Sequence, residues 1–279
     1  MNRRDALTHA RAILAENSIE DSSLEGEILL RHILGIDRAR LFADLDANVS
    51  QEQEALLDEC LRRRMRGEPS AYITGHREFY GLDFKVDHTV LIPRPETELL
   101  VETALDISRR SRITEIADVG TGCGAIAVSL AVHLPDVIIY AIDISAPALE
   151  VAASNCSMHG VTGRVRLLRG DMLAPLPGPV DLIIANLPYV RVAELPGNGD
   201  LSYEPTLALD GGDDGLDSIK KLGRRVPDML RPGGCLLLEV GQGQAEEVAG
   251  FFRSNCSPCR IDVYKDLAGI ERVLCVGLT

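Results

Sequence analysis

With 279 residues, the chain has room for one large domain or two moderate ones, and a hydrophobic content of 46% supports a buried core. No apolar run approaches the roughly 20 residues of a membrane helix. The start, Met1-Asn2-Arg3-Arg4-Asp5, leads into a polar amphipathic helix without a signal segment, so a cytoplasmic protein with no membrane contact is expected. A net charge of −13 argues against nonspecific nucleic-acid binding, which rests on cationic contacts to phosphate. Seven cysteines, an odd number scattered through apparent core strands, do not read as a disulfide framework. Cys256 and Cys259 have CxxC spacing, but no second pair or nearby histidine completes a zinc site, and no metal is expected.

Residues 1–68 read as a small helical bundle. Leu7, Ala10, Ile13 and Leu14 recur at helical spacing, as do Ile28, Leu29, Ile33 and Leu34. Ser50 followed by Glu52, Gln53 and Glu54 marks a helix start, with Leu56, Leu57 and Leu61 as its apolar stripe. The basic run Arg62-Arg63-Arg64-Met65-Arg66 reads as a solvated helix end that complements the dipole. Residues 69–92 read as a β-hairpin linker, because aromatic and β-branched residues from Tyr72 to Val86 alternate with polar ones around Gly81. Pro93-Arg94-Pro95 forms a rigid connection, and Glu96 or Thr97 begins a helix running through Leu99, Leu100, Val101 and Leu105.

From about residue 113, strands and helices alternate, the signature of a parallel sheet, and an α/β domain is expected over residues 93–279. The candidate strands are 115–119, 137–142, 164–168, 180–185, 235–240, 260–264 and 272–278. Helices are expected over 124–133, 146–158, 215–230 and 243–254. Pro196-Gly197-Asn198-Gly199 and Gly211-Gly212-Asp213-Asp214-Gly215 mark loops.

The chemistry is expected beyond the carboxyl ends of these strands, where open α/β sheets bind ligands. Gly120-Thr121-Gly122-Cys123-Gly124 follows the first strand and opens a helix, its glycines allowing a tight turn and close backbone approach to a ligand. The Gly-x-Gly-x-Gly spacing departs from the Gly-x-Gly-x-x-Gly of dinucleotide sites, which counts against a dehydrogenase. It resembles the first motif of S-adenosylmethionine-dependent methyltransferases. Asp143 and Ile144 end the second strand, where an acid can hold both ribose hydroxyls; a plain helix cap is the competing role, and Ser145 suits it at least as well. Asp171 and Met172 end the third, placed to accept from an adenine amino group and to pack on its ring.

Asn186-Leu187-Pro188-Tyr189 closes the fourth strand after the apolar run Ile183-Ile184-Ala185. The Asn186 side-chain oxygen can accept from a planar NH₂ group. The extended bias of the residue before Pro188 can aim the Leu187 carbonyl at the second N–H, and Tyr189 offers a ring face.

Together these residues resemble the release-factor glutamine N5-methyltransferases over nearly the whole chain. The resemblance extends to Tyr72-Ile73-Thr74-Gly75, Phe79-Tyr80-Gly81, the connector Pro93-Arg94-Pro95-Glu96-Thr97-Glu98, Tyr203-Glu204-Pro205-Thr206-Leu207-Ala208-Leu209 and Lys265-Asp266-Leu267-Ala268-Gly269-Ile270-Glu271-Arg272. It implies a Rossmann-like seven-stranded methyltransferase domain behind a helical, partner-recognising one. It also implies S-adenosylmethionine as cofactor, S-adenosylhomocysteine as product, and class I peptide-chain release factors as substrate for a monomeric enzyme, with no direct nucleic-acid contact. By the same resemblance Gly120 to Gly124, Asp143, Ile144, Asp171, Met172 and Asn186 bind the cofactor, while Asn186 to Tyr189 hold the glutamine amide of a Gly-Gly-Gln motif. Two residues depart from the family: Leu187 stands where Asn-Pro-Pro-Tyr is usual, and Met172 where some relatives carry an aromatic residue. Asn-Leu-Pro-Tyr also occurs in rRNA adenine dimethyltransferases, so an adenine-N6 methyltransferase acting on flipped-out RNA or DNA bases is the alternative.

Overall fold

The structure is a computed structural model that describes residues 1–195, 200–256 and 258–278. The Pro196–Gly199 loop and Ser257 of the CxxC segment lie outside the described residues.

The chain forms two compact units. The first holds Met1–His76 and a later segment ending at Tyr203, whose hydroxyl donates to the Arg66 carbonyl at 3.1 Å. Its helices are α1 (Arg3–Glu16), α2 (Ser22–Leu34), α3 (Arg38–Ala43), α4 (Gln51–Met65) and α5 (Ser70–Thr74). Helix α1 buries Ala6, Leu7, Ala10 and Leu14, one stripe at helical spacing, against Leu29, Leu30, Leu57 and Leu61. Helix α4 starts with a full capping box, Ser50 and Gln53 each serving the other's backbone N–H. Two expectations are corrected here. Tyr72-Ile73-Thr74 belongs to α5 and not to a hairpin strand. The basic run is not simply solvated: Arg64 is 4% exposed and pairs with Glu25 at 2.5 Å, while Arg63 grips Glu68 with two nitrogens.

The second unit begins at Arg77, inside a hairpin of β1 (His76–Phe79) and β2 (Leu82–Lys85), turned by Tyr80 and Gly81 at φ +52° and +71°, the two left-handed residues that a two-residue type I′ turn requires. Buried Asn155 ties this hairpin down. Its side chain accepts from Lys85 N at 2.8 Å and donates to the carbonyls of Lys85 and Cys123 at 3.0 and 2.8 Å. After the connector come α6 (Glu98–Arg110), β3 (Glu115–Val119), α7 (Ala125–His133), β4 (Ile138–Asp143), α8 (Ala146–Met158), β5 (Val165–Arg169) and β6 (Val180–Ala185). Then follow α9 (Asp217–Gly223), α10 (Val226–Met229), β7 (Leu230–Glu239), α11 (Ala245–Asn255), β8 (Cys259–Lys265) and β9 (Glu271–Leu278). The single helix expected over 215–230 is instead two, because Pro227 suits a first helical turn and cannot continue α9.

The seven strands lie in the order β5-β4-β3-β6-β7-β9-β8, all parallel except β9. The chain runs outward from β3 to β5 and then returns to the other side of β3, so the strand order reverses between β3 and β6. Ligands bind at such a switch point. Register completes the placement: Val119 pairs with Ile142 and Ala185, and Ala185 pairs with Leu238. The next residue on each strand, Gly120, Asp143, Asn186 and Glu239, therefore sits at one level on the carboxyl edge.

Candidate active site

The turn after β3 is built from left-handed glycines, Gly120 at φ +75°, Gly122 at +56° and Gly124 at +84°. The N–H groups of Gly120 and Thr121 both donate to the Ile142 carbonyl at 2.9 Å, which folds the turn toward β4. Gly122 N–H donates to Asp143 Oδ2 at 2.9 Å, and Ser145 N–H to its Oδ1 at 2.9 Å. Ser145 is the N-cap of α8, accepting from Ala148 N at 3.3 Å, so the capping role belongs to it and Asp143 is left facing the site.

A cavity of about 390 Å³ opens above these residues, within the usual range for a small-molecule site. Gly120, Gly122, Asp143 and Ile144 line one part, Asp171 and Met172 another, and Asn186, Leu187 and Pro188 a third. Met172 is held at φ +50°, a conformation uncommon for a residue with a side chain. Asp171 pairs with Lys221 of α9 at 2.6 Å.

Four sequence-derived candidates do not line the cavity. Thr121 turns inward and donates to Asp118 Oδ2 at 2.6 Å. Cys123 is 2% exposed, and burial pushes its thiol up to about 12, so it is inert. Gly124 is the N-cap of α7, where an added Cβ would lie 3.2 Å from that of Ala152. Tyr189 sends its hydroxyl to Glu239 Oε1 at 3.3 Å and accepts from Gln244 Nε2 at its carbonyl at 3.0 Å. Burial raises its pKa. These residues brace the turns that others present.

The cavity also recruits residues with no role assigned from the motifs. Pro205, Leu207 and Ala208 line it, as do Asp217, Ser218 and Lys221 from α9. The signal for the first group was the Tyr203–Leu209 motif; its Glu204, 5% exposed, forms an ion pair with Arg94 of the connector. Helix α9 gave no comparable signal.

Two substitutions test this construction. Gly120→Ala places a Cβ 3.2 Å from Leu187 Cδ2 in a left-handed backbone. It is expected to cost about 1–3 kcal/mol in denaturant unfolding and to weaken cofactor binding. The second concerns Asp118, which is fully buried; burial raises its pKa to about 7. The folded state thus binds a proton that the unfolded state has released above about pH 4, and stability falls as pH rises from there to about 7. Asp118→Asn removes that slope, so relative to the parent it should gain on the order of 2 kcal/mol between pH 5 and pH 8. Parallel slopes in the two proteins would place the ionisation elsewhere.

The site fits a nucleoside bearing a diol and an amino-substituted ring: a glycine cradle that a Cβ would fill, an acid at the end of β4, and an acid with an apolar partner beyond β5. With Asn-x-Pro-Tyr at the switch point, these features define an S-adenosylmethionine-dependent methyltransferase. Family models match in two places, the PrmC N-terminal domain over residues 5–75 and the methyltransferase small domain over residues 95–196. Release factor glutamine methyltransferase from Moorella thermoacetica is 44% identical over 98% of this chain and 97% of its own, and that from Geobacter sulfurreducens 40% identical over 97% and 95%. The chain belongs to the release factor glutamine methyltransferase family. Solved structures share the fold alone. A Pyrococcus furiosus methyltransferase superposes with a TM-score of 0.52 at 18% identity over 71% of this chain and 90% of its own. The hMettl16 catalytic domain in complex with the MAT2A 3'UTR hairpin 6 gives 0.57 at 13% over 84% of each.

Proposed function

We propose that the chain methylates the side-chain amide nitrogen of the glutamine in the Gly-Gly-Gln motif of class I peptide-chain release factors. The observation that carries this reading is the position of Asn186, at the same sheet level as Gly120 and Asp143 and lining the same cavity. An amide acceptor beside the cofactor cradle is what a planar amide substrate requires. The relatives' names supply the protein that bears that amide. The likeness to an RNA-bound domain is one of fold and carries no substrate.

When bound, S-adenosylmethionine supplies an electrophilic methyl group on a sulfonium. Gly120 and Gly122 admit it closely, Asp143 holds the ribose hydroxyls, and Asp171 with Met172 takes the adenine. Asn186 Oδ1 accepts one amide N–H of the glutamine and the Leu187 carbonyl the other, which fixes the nitrogen in place. An amide nitrogen is a poor nucleophile because its lone pair is delocalised into the carbonyl. The two acceptors also stabilise positive charge growing on that nitrogen. No general base is needed until the product sheds its proton.

The same reading makes the enzyme a cytoplasmic monomer that works on protein and not on nucleic acid, which the net charge of −13 supports. Among the described residues no helix is long and apolar enough to cross a membrane. Incubation with methyl-labelled S-adenosylmethionine and either a class I release factor or RNA and DNA tests the assignment. Label should enter the release factor and disappear when its Gly-Gly-Gln glutamine is replaced; label in nucleic acid alone would reverse it.

A further inference from the structure

Thr97, the last residue of the short turn Pro95–Thr97 in the connector, is 4% exposed, and its hydroxyl oxygen accepts from Asn186 Nδ2 at 3.1 Å. We propose that Thr97, backed by Glu239, is a positioning residue that fixes which end of the Asn186 amide is offered to the target, an inference that rests on the amide-clamp reading of Asn186. The two ends of an asparagine amide are nearly the same in shape and opposite in polarity. Only the oxygen can accept from a glutamine NH₂; the flipped side chain would set donor against donor.

A threonine hydroxyl alone does not decide the matter, because it both donates and accepts. Glu239 decides it. Register places Asn186 and Glu239 directly after the paired residues Ala185 and Leu238 on neighbouring strands, and the Thr97 hydroxyl that accepts from Asn186 lies beside the Glu239 carboxylate, whose Oε2 is buried with no hydrogen-bond partner among the described residues. Glu239 is fully buried, and as a carboxylate it can only accept. It therefore claims the single Thr97 proton, leaves a Thr97 lone pair for Asn186 Nδ2, and turns Asn186 Oδ1 toward the substrate. The same carboxylate accepts from the Tyr189 hydroxyl at 3.3 Å, so it orders the turn at both ends.

Glu239 also lends this device a pH signature. The groups facing it are Thr97 and Glu96 from the connector, Tyr189 from the turn after β6, and Arg272 from β9. Burial, more than any of these, raises its pKa to about 7. Protonation gives it a proton of its own to donate, and the direction of the chain of hydrogen bonds is no longer fixed. Transfer should accordingly gain a limb that rises with pH through about 7.

The test is single-turnover methyl transfer to a class I release factor at saturating S-adenosylmethionine, with cofactor affinity measured separately. Thr97→Val keeps the shape and removes the hydroxyl; transfer should fall by about 10- to 100-fold while the cofactor Kd stays within about threefold. Thr97→Ser should return to within about threefold of the parent, and Glu239→Gln should lose the pH limb. Parental transfer by Thr97→Val, equal losses in Thr97→Val and Thr97→Ser, or a pH limb retained in Glu239→Gln would each overturn the assignment. Asn186→Ala, run alongside, separates the two levels. If it too transfers at the parental rate, the clamp reading itself fails; if it is impaired while Thr97→Val is active, only the positioning role fails.

Discussion

Asn186→Ala is expected to lower single-turnover methyl transfer by about 10²–10³-fold, the loss typical when one preorganised polar group facing developing charge is removed. The cofactor cradle should survive, because Gly122 and Asp143 bond to each other and not to Asn186. S-adenosylmethionine affinity should therefore change far less than the rate, with some effect expected from proximity to the donor methyl. The loss should appear at saturating release factor, since positioning is removed and not merely docking. Calorimetry with cofactor and rapid-quench transfer measure the two quantities separately. Parental transfer by this variant would remove the Asn-x-Pro-Tyr turn from the mechanism.

Asp143→Ala should show the opposite split. Losing charge-assisted bonds to two ribose hydroxyls costs about 1.5–3 kcal/mol, or roughly ten- to over a hundredfold in affinity. The structure adds a second loss, because the carboxylate also receives the N–H groups of Gly122 and Ser145. Both amides become unpaired in the variant, so the glycine turn loosens as well as losing its ligand contact. Asp143→Asn retains one acceptor oxygen and should fall between parent and alanine. Unchanged calorimetric affinity in Asp143→Ala would reduce Asp143 to a local brace of the turn.

The sheet was legible because its strands are short apolar runs ended by glycine, proline or acidic residues. Val180–Ala185 and helix Ala146–Met158 fall where alternation and Ser145 place them. Boundaries failed where tertiary packing overrode local pattern. Tyr72 to Thr74 is rich in strand formers yet helical in α5. The break between α9 and α10 is local instead, set by Pro227, which opens α10 and cannot continue α9. The strand-end residues that face the cavity, Gly120, Asp143, Asp171 and Asn186, were readable from their order after successive strands, whereas Asp217, Ser218 and Lys221 of α9 were not. What was not readable is the support behind them. Thr97 and Asn186 are 89 residues apart in sequence, and Asn155 reaches Lys85 across 70. Nothing in local composition marks such pairs, and a threonine in a proline-rich connector reads as a helix start, which it also is.

The strand order has a consequence for how the sheet is made. Strand β8 leaves the ribosome before β9, yet it pairs only with β9, which lies between it and β7. Until β9 emerges, β7 presents an open hydrogen-bonding edge and β8 has no place in the sheet, the condition under which a growing chain mispairs. The final insertion is antiparallel and sets Glu239 opposite Val273, while Val240 N–H bonds to the Arg272 carbonyl. The wall that carries Glu239 is thus completed by a segment that follows β7 and β8 in the chain. A nascent chain that has emitted its glycine turn and Asn186 still lacks the strand that encloses Glu239, so the group backing Asn186 is walled in only after the site residues themselves have been made.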